Sequence, residues 1–392
     1  MHTTNHRHGT LRADEATRSE HPAPRALASL LAQAGVRVDG DAPWDIQVHS
    51  SDVYAMTLAR GALGFGEAYV QGAWDCEELD ELLCRILRAD LTRRVRLLTP
   101  LRSMAAFLQA ALTNPQSTAR AFQVGERHYD LSNDLFKAML DSTMTYSCGY
   151  WADASDLESA QRNKLDLVCR KLQLQPGERL LDIGCGWGSL AEHAARNYGV
   201  EVLGITVSRE QHTLAQARSR HLPIEYRLMD YRKLEGTYEK IASVGMFEHV
   251  GPKNHPAFFE VCKQLLAPDG LFLLHTIGNS VTDTAIDPWL NKYIFPNAAL
   301  PSAVHLTRAL QDRFLLQDWH NFGPDYDLTL MSWWGRFQRA WPDLAHHYDQ
   351  RFYRMWRYYL MSCAAFFRTR RGQLWQLVLS HRDREPVYRS IR

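Results

Sequence analysis

Three side chains that a simple cofactor site does not require lie before or at the ends of apolar runs that read as strands. Glu248 lies in GMFEHVG, Gly245 to Gly251; His275 lies in LLHTIG, Leu273 to Gly278; Cys148 lies in YSCGYW, Tyr146 to Trp151. An ionised carboxylate only accepts hydrogen bonds, a neutral imidazole donates from one nitrogen, and a thiol donates weakly. Taken singly each has a plainer reading: Glu248 caps a helix, His275 is a satisfied core histidine, Cys148 fills space. Together at one rim, in dense aromatic surroundings, they are harder to dismiss. Beside them RLLDIGCGWG, Arg179 to Gly188, runs an apolar strand into Gly184, Cys185, Gly186, Trp187 and Gly188. Glycines there let the backbone approach a ligand without Cβ clashes, so the loop predicts a bound molecule of nucleotide size. The spacing is GxGxG, not the GxGxxG of dinucleotide folds, and no P-loop Lys-Ser/Thr follows. That favours S-adenosylmethionine over NAD or ATP.

These residues need strands that end at a common edge. Arg179–Ile183, Glu201–Thr206, Glu225–Asp230, Lys240–Met246 and Leu271–Ile277 read as five strands with helical stretches between them. The alternation predicts a doubly wound α/β sheet with the ligand at the carboxyl ends, where Glu248 and His275 converge beside the methyl donor. The second strand ends at Thr206, with Gln211 five residues on, where such folds usually place an acid for ribose hydroxyls. Neutral polar groups must do that work.

The chain has 392 residues, 45% hydrophobic and 23% charged, with a net charge of +1. This is enough for about two to three domains, and there is no global basic field to attract nucleic acid. Seven widely spaced cysteines without a CxxC pair argue against a disulfide framework or structural zinc, so no metal is expected and a reducing cytoplasm fits. Residues 1–23 lack a signal-peptide core and read as a disordered leader, and no run of about 18 apolar residues occurs. Residues 24–112 read as a smaller, mostly helical N-terminal domain: RALASLLAQAG and EELDELLCRILRADL are helical, and GALGFGEAYVQGAWD between them is a glycine-punctuated turn region. Residues 113–126, with TNPQST, read as a linker, and 127–392 as the catalytic domain. From Arg85 to Arg102 six arginines face one acid, Asp90, among Leu, Ile and Val. This is either a solvated helix face or a segment that meets anionic lipid. Near the C-terminus Phe352, Trp356, Tyr359, Cys363, Phe366 and Phe367 share a helical arc, with Arg351, Arg354, Arg357 and Arg368 on other faces; core packing and an apolar tunnel wall read alike there.

HYDLSNDLF (His128 to Phe136), YSCGYW, LDIGCGWG, SVGMFEHVGPKN, LLHTIG, DPWLNKYIFPN (Asp287 to Asn297) and DWHNFGPDYD (Asp318 to Asp327), in this order, resemble bacterial cyclopropane-fatty-acyl-phospholipid synthases. The resemblance spans roughly Gly61 to Gln376. It implies a Rossmann-like methyltransferase sheet and methyl transfer from S-adenosylmethionine to the cis double bond of phospholipid acyl chains. The N-terminal domain marks the phospholipid-acting branch and not the mycolic acid branch. It also implies a homodimer attached peripherally to the inner face of the plasma membrane.

Further implied is a bound bicarbonate, held by Cys148, Glu248, His275, the backbone of Ile277 and Tyr326, that removes a proton so the carbocation closes to a ring. Ionised Glu248 would accept its hydroxyl while His275, Tyr326 and the Ile277 amide donate. Tyr129, Tyr146, Trp187, Phe247 and Trp333 offer aromatic faces to the cation. Cys363 is sometimes given an active role in the family, which the chemistry does not require. Donor contacts are implied for His128, Tyr129, Tyr146, Ser147, Gly184 to Gly188, Thr206, Gln211, Asp230 and Phe247. Met229 departs from a common glutamine, and WWGRF, Trp333 to Phe337, departs at the acyl end. The alternatives are a methyltransferase leaving methyl-branched or methylidene chains, and an inactive lipid-binding protein. If the arginine segment meets lipid, replacing Arg93, Arg94 and Arg96 with Gln weakens binding to anionic vesicles at low salt; unchanged co-sedimentation returns it to a solvated face.

Overall fold

The computed structural model describes residues 21–91, 133–282 and 286–392. His128, Tyr129, the 113–126 linker, and Arg93, Arg94 and Arg96 lie outside them.

Residues 21–91 form helices α1 (Arg25–Gln33), α2 (Asp52–Arg60), α3 (Ala62–Val70) and α4 (Leu79–Arg88), with a small antiparallel pair β1 (Gln47–Val48) and β2 (Trp74–Asp75). Helix α4 carries Asp80 and Glu81 in its first turn and Arg85 and Arg88 in its last, the order the helix dipole favours. The segment expected to be a glycine-punctuated turn is helix α3. Its glycines serve close packing: a Cβ on Gly64 would collide with the Met56 carbonyl, and one on Gly66 would lie 2.7 Å from Trp289 and 2.8 Å from Tyr358. Arg85 is not free for lipid, since it pairs with Glu81 at 2.9 Å and stacks on Trp44 at 3.9 Å.

After α5 (Asn133–Met139) and α6 (Leu157–Lys171) comes one seven-stranded sheet: β3 (Arg179–Ile183), β4 (Glu201–Thr206), β5 (Ile224–Leu228), β6 (Tyr238–Val244), β7 (Leu266–Asn279), β8 (Leu315–Asn321) and β9 (Gly372–Ser380). The order is β5-β4-β3-β6-β7-β9-β8. Strands β3 to β7 are parallel, and β9 is antiparallel to both β7 and β8. The strand order reverses between β3 and β6, which opens a crevice at their carboxyl ends. The five expected strands are present within a few residues. The sequence reading did not identify β8 and β9.

One sheet face packs against α6 and α7 (Ser189–Tyr198) through Leu165, Val168, Ala191 and Ala194. The other packs Phe258 and Phe259 of α9 (His255–Leu265) and Leu306 of a later helix, α11 (Ala303–Leu310), against Phe272. A third core joins residues 21–91 to α12 (Pro324–Leu344) and α13 (Gln350–Arg368), including Tyr69, Trp74, Phe136, Trp333, Trp356 and Tyr359. The expected arc on α13 lies in this core.

The α13 arginines reach the N-terminal helices. Arg354 donates to the Tyr69 and Trp74 carbonyls and to Asp75 at 2.6–2.7 Å, Arg357 to the Cys76 and Glu77 carbonyls, and Arg368 to Asp80 and Asp327. Glu67 of α3 adds Lys292 at 2.7 Å and the Tyr293 hydroxyl at 2.8 Å. Bonds from a charged donor to buried carbonyls are strong because the carbonyls have no water to fall back on. Arg354→Leu removes two of them and the bond to Asp75, and is expected to weaken the seam by about 2–4 kcal/mol. Amide exchange should then quicken across 68–76 while β3 and β6 keep their protection; uniform exchange in both regions would show that Arg354 is not what holds the seam.

Candidate active site

The glycine loop after β3 forms the floor of the crevice. Gly184, Gly186 and Gly188 all have positive φ, at 86°, 56° and 88°. At Gly184 a side chain would press on Met246 within 2.7 Å, and at Gly188 it would meet the Tyr226 hydroxyl, so the loop tolerates only glycine at these points. The Gly184 and Cys185 amides both bond the Ile205 carbonyl, tying the loop to β4.

The cleft above it is lined by Tyr146, Ser147, Gly184, Cys185, Gly186, Trp187, Thr206, Gln211 and Asp230, all expected donor contacts. Gly188 is absent from the lining; it turns the chain into α7, of which it is the left-handed N-cap. At the β4 end the Thr206 hydroxyl donates to Gln211 Oε1 at 2.9 Å and accepts from the Ser208 amide, so the ribose end is neutral as its sequence implied. Asp230 is buried, which works to raise its pKa, but hydrogen bonds and charge from Arg232 outweigh this and hold it below the usual range. Met229 lines the cleft beside it.

Phe247 departs from expectation. Its side chain is fully buried away from the cleft, stacked on His255 at 4.3 Å between Phe258 and Phe259. The residues of GMFEHVG that reach the cleft are Gly245, Met246, His249 and Val250. A short turn, Phe247–His249, forces this alternation by turning one ring inward as its neighbours face out.

That turn also carries Glu248 toward β7. Parallel pairing of β6 with β7 sets Val244 opposite His275, and Glu248 Oε1 accepts the Ile277 amide at 2.6 Å. The Ile277 amide, expected to face bicarbonate, is therefore given to Glu248. Burial pushes the Glu248 pKa up to about 7, against the lowering effect of that bond, so it is not the firmly ionised group expected. Its Oε2 is buried without a partner, as is His275 Nε2. His275 Nδ1 lies 3.3 Å from the Gln376 side-chain nitrogen across the β7–β9 pair; with that nitrogen donating, the imidazole proton sits on Nε2. Burial first, then Lys164, Lys171 and His320, hold its pKa well below the ordinary value, so the ring is neutral.

Cys148 completes this corner, packed with Phe322, Leu374, Ile277 and Tyr326. Its thiol donates to the Gly149 carbonyl at 3.1 Å and lies 3.8 Å from the Thr329 hydroxyl, and burial raises its pKa well above the usual value. Tyr326, in the first turn of α12, stacks on Phe367 at 4.5 Å; burial followed by Cys148, Glu248, Tyr146 and Cys363 raises its pKa. Tyr146 connects corner and cleft: its hydroxyl meets that of Tyr359 at 2.7 Å, and its ring lies 5.1 Å from Trp333. Cys363 sits at the edge of the aromatic core with its pKa pushed up to about 12 by burial. It remains a thiol at neutral pH, which removes it as a nucleophile.

Two cleft groups escaped sequence reading, Lys164 on α6 and Asp182 on β3. Asp182 is an acid inside an otherwise apolar buried strand, a signal that was available. Lys164 sits in a helix rich in charges and gave none.

Against known proteins, residues 116–377 match the family described as mycolic acid cyclopropane synthetase. The chain is 51% identical over 356 residues to the cyclopropane-fatty-acyl-phospholipid synthase of Escherichia coli, covering 91% of this chain and 93% of that one. It is 35% identical to the tuberculostearic acid methyltransferase UfaA1 of Mycobacterium tuberculosis, over 82% and 80% of the two chains. Among solved structures, the cyclopropane synthase MmaA2 from Mycobacterium tuberculosis superposes with a TM-score of 0.63 at 32% identity, over 66% of this chain and 97% of that one. The mycolic acid cyclopropane synthase CmaA1, complexed with SAH and CTAB, gives 0.62 at 32% identity over the same shares. The chain thus has a methyltransferase fold and belongs to the family of cyclopropane synthases and their fatty-acid methyltransferase relatives.

Proposed function

We propose that the protein transfers the methyl group of S-adenosylmethionine to the cis double bond of unsaturated acyl chains in membrane phospholipids and closes the product to a cyclopropane, with bicarbonate as the base. The observation that carries this reading is a pair of buried, unpartnered atoms of opposite sense: Glu248 Oε2, an acceptor when ionised, and His275 Nε2, a donor. A planar ion with one hydroxyl and two anionic oxygens answers both. Bicarbonate, when bound, supplies the base for the proton lost from the new methyl group. Glu248, His275, Tyr326 and Cys148 are the residues that would hold it, with Ile277 acting through Glu248. After burial, the charges of Lys164 and Lys171 also work to keep His275 neutral.

An alkene that accepts a methyl cation becomes a carbocation, and its surroundings must stabilise it without attacking it. The Tyr146, Tyr326 and Trp333 rings do the first, at about 0.5–2 kcal/mol each. Protonation of Cys148 and Cys363 does the second. The E. coli relative's name supports phospholipid as substrate. No helix among the described residues is long and apolar enough to cross a membrane. The reading places the enzyme, as a homodimer, on an anionic membrane surface.

Purified protein, labelled S-adenosylmethionine and vesicles of monounsaturated phospholipid test the reaction. Mass spectrometry should find label in acyl chains heavier by one CH2 and lacking the double bond. Methyl-branched or methylidene chains would assign it the alternative outcome of the cation, and unlabelled lipid with donor binding intact would leave only lipid binding. Glu248→Gln should slow the reaction about 100-fold or more, with partial recovery at high bicarbonate. A wild-type rate for that variant in bicarbonate-depleted buffer would remove the bicarbonate role.

The raised Glu248 pKa also predicts a stability effect. Between its ordinary 4.5 and about 7 the folded protein keeps a proton that the unfolded chain releases, so this group's contribution falls as pH rises through that window. The amide introduced by Glu248→Gln cannot ionise and escapes the loss. In bicarbonate-depleted buffer, this variant should gain on wild type by up to about 3 kcal/mol between about pH 5 and about pH 8 in denaturant unfolding. A constant difference would mean that Glu248 ionises normally.

A further inference from the structure

The donor cleft has two chemically distinct ends. Around Thr206 and Gln211 the groups are neutral. At the other end, beside Ser147 and Gly184, lie a lysine and an aspartate that the anion corner does not use. Lys164 is 1% exposed and Asp182 2%, yet both line the cleft. Among the described residues the Lys164 ammonium has one hydrogen-bond partner, the Ser147 hydroxyl at 2.9 Å, although it carries three donors. Asp182 Oδ2 is buried without a partner. Each feels the other's charge, but they do not form a direct ion pair.

A buried ammonium with unused donors is costly unless an anion meets it. Neither Lys164 nor Ser147 lies in the cluster of Cys148, Phe322, Leu374 and Tyr326, and none of Cys148, Glu248, His275 or Tyr326 lines the cleft. The carboxylate whose charge acts most on Lys164, Asp141, spends its oxygens on Thr143 and Thr145 and makes no ion pair with it, so the ligand of the cleft is left to supply the anion that meets the ammonium. S-adenosylmethionine carries a carboxylate and an ammonium on one carbon, the charge pattern that a lysine and an unpaired aspartate complement. We propose that Lys164, together with the Ser147 hydroxyl it orients, binds the methionyl carboxylate of the donor and makes the protein selective for carboxylated over decarboxylated S-adenosylmethionine. Among the described residues, the other arginine or lysine that lines the cleft is Arg232, whose charge is taken by Asp230 at 2.7 Å, so the carboxylate at Lys164 also fixes which way round the donor lies.

The inference rests on donor use but not on the cyclopropane outcome or on bicarbonate. Its test is the ratio of dissociation constants for S-adenosylmethionine and its decarboxylated analogue, measured by calorimetry without lipid or bicarbonate. Wild type should prefer the carboxylated donor by about 10- to 100-fold, the range for a charged hydrogen bond. Lys164→Met should bring that ratio close to one by weakening the carboxylated donor alone, and Lys164→Arg should keep part of the preference. Equal weakening of both donors in Lys164→Met, or an unchanged ratio, would overturn the assignment. So would a wild-type ratio near one, which needs no variant and holds whether or not Lys164→Met folds.

Discussion

The hydrogen bond from the Ile277 amide to Glu248 is the contact around which the anion corner is arranged. It exists because β6 and β7 are parallel and in a register that sets Val244 against His275, so the turn after β6 falls level with the last residues of β7. Shifting that pairing by one residue would turn His275 to the opposite face of the sheet and remove the donor opposite Glu248. Strand β7 runs on for 14 residues and takes β9 along its other side, which brings Gln376 to His275. The antiparallel extension is thus part of the site: it brings the imidazole its hydrogen-bond partner, Gln376.

Helix α13 solves a second problem, that of attaching a small helical unit to an α/β sheet through a shared aromatic core. Its aromatic side chains, Trp356, Tyr359 and Phe367, enter the shared core, and its arginines reach past that core to backbone carbonyls and acids of residues 69–80. Directional charged bonds set the spacing at the rim, so the centre can be filled by rings that do not have to carry the attachment. Tyr326 and Tyr146 belong to the same ring system, which makes the wall of the proposed acyl path continuous with the joint between the two parts.

How much of this was legible follows the physics of each element. Parallel strands buried on both faces, such as β3 and β4, are largely apolar runs; all five from Arg179 onward read correctly within a few residues, including β5, a half-exposed edge. Strand β8 is an edge, with Leu315 and Leu316 exposed and polar residues among its inward positions, so it carries no such run. Helix α3 was hidden because glycine was read as punctuation where it serves close approach to Trp289 and Tyr358. The convergence of Glu248 and Ile277 was legible because the fold delivers strand ends to one crevice. The facing of Phe247 was not, since a three-residue turn decides it, nor was the division of labour that gives the Ile277 amide to Glu248. Lys164 was illegible for a general reason: a lysine in a charged helix looks solvated until the sheet beneath it is known.

One cause, desolvation, accounts for the chemical character of the whole corner. It raises Glu248 to about 7, lowers His275, and lifts the thiols of Cys148 and Cys363 and the phenol of Tyr326. In water several of these groups would be nucleophiles or stable ions. Here each is neutral or nearly so, and neutrality is what a carbocation requires of its surroundings. A site that held a thiolate near the double bond would be alkylated, and one that held a permanent carboxylate there would compete with proton loss by forming an ester. By holding the thiols and the phenol protonated, burial keeps anionic nucleophiles away from the cation, and in the proposed reaction the unpartnered atoms of Glu248 and His275 are where a small anion from outside would be held.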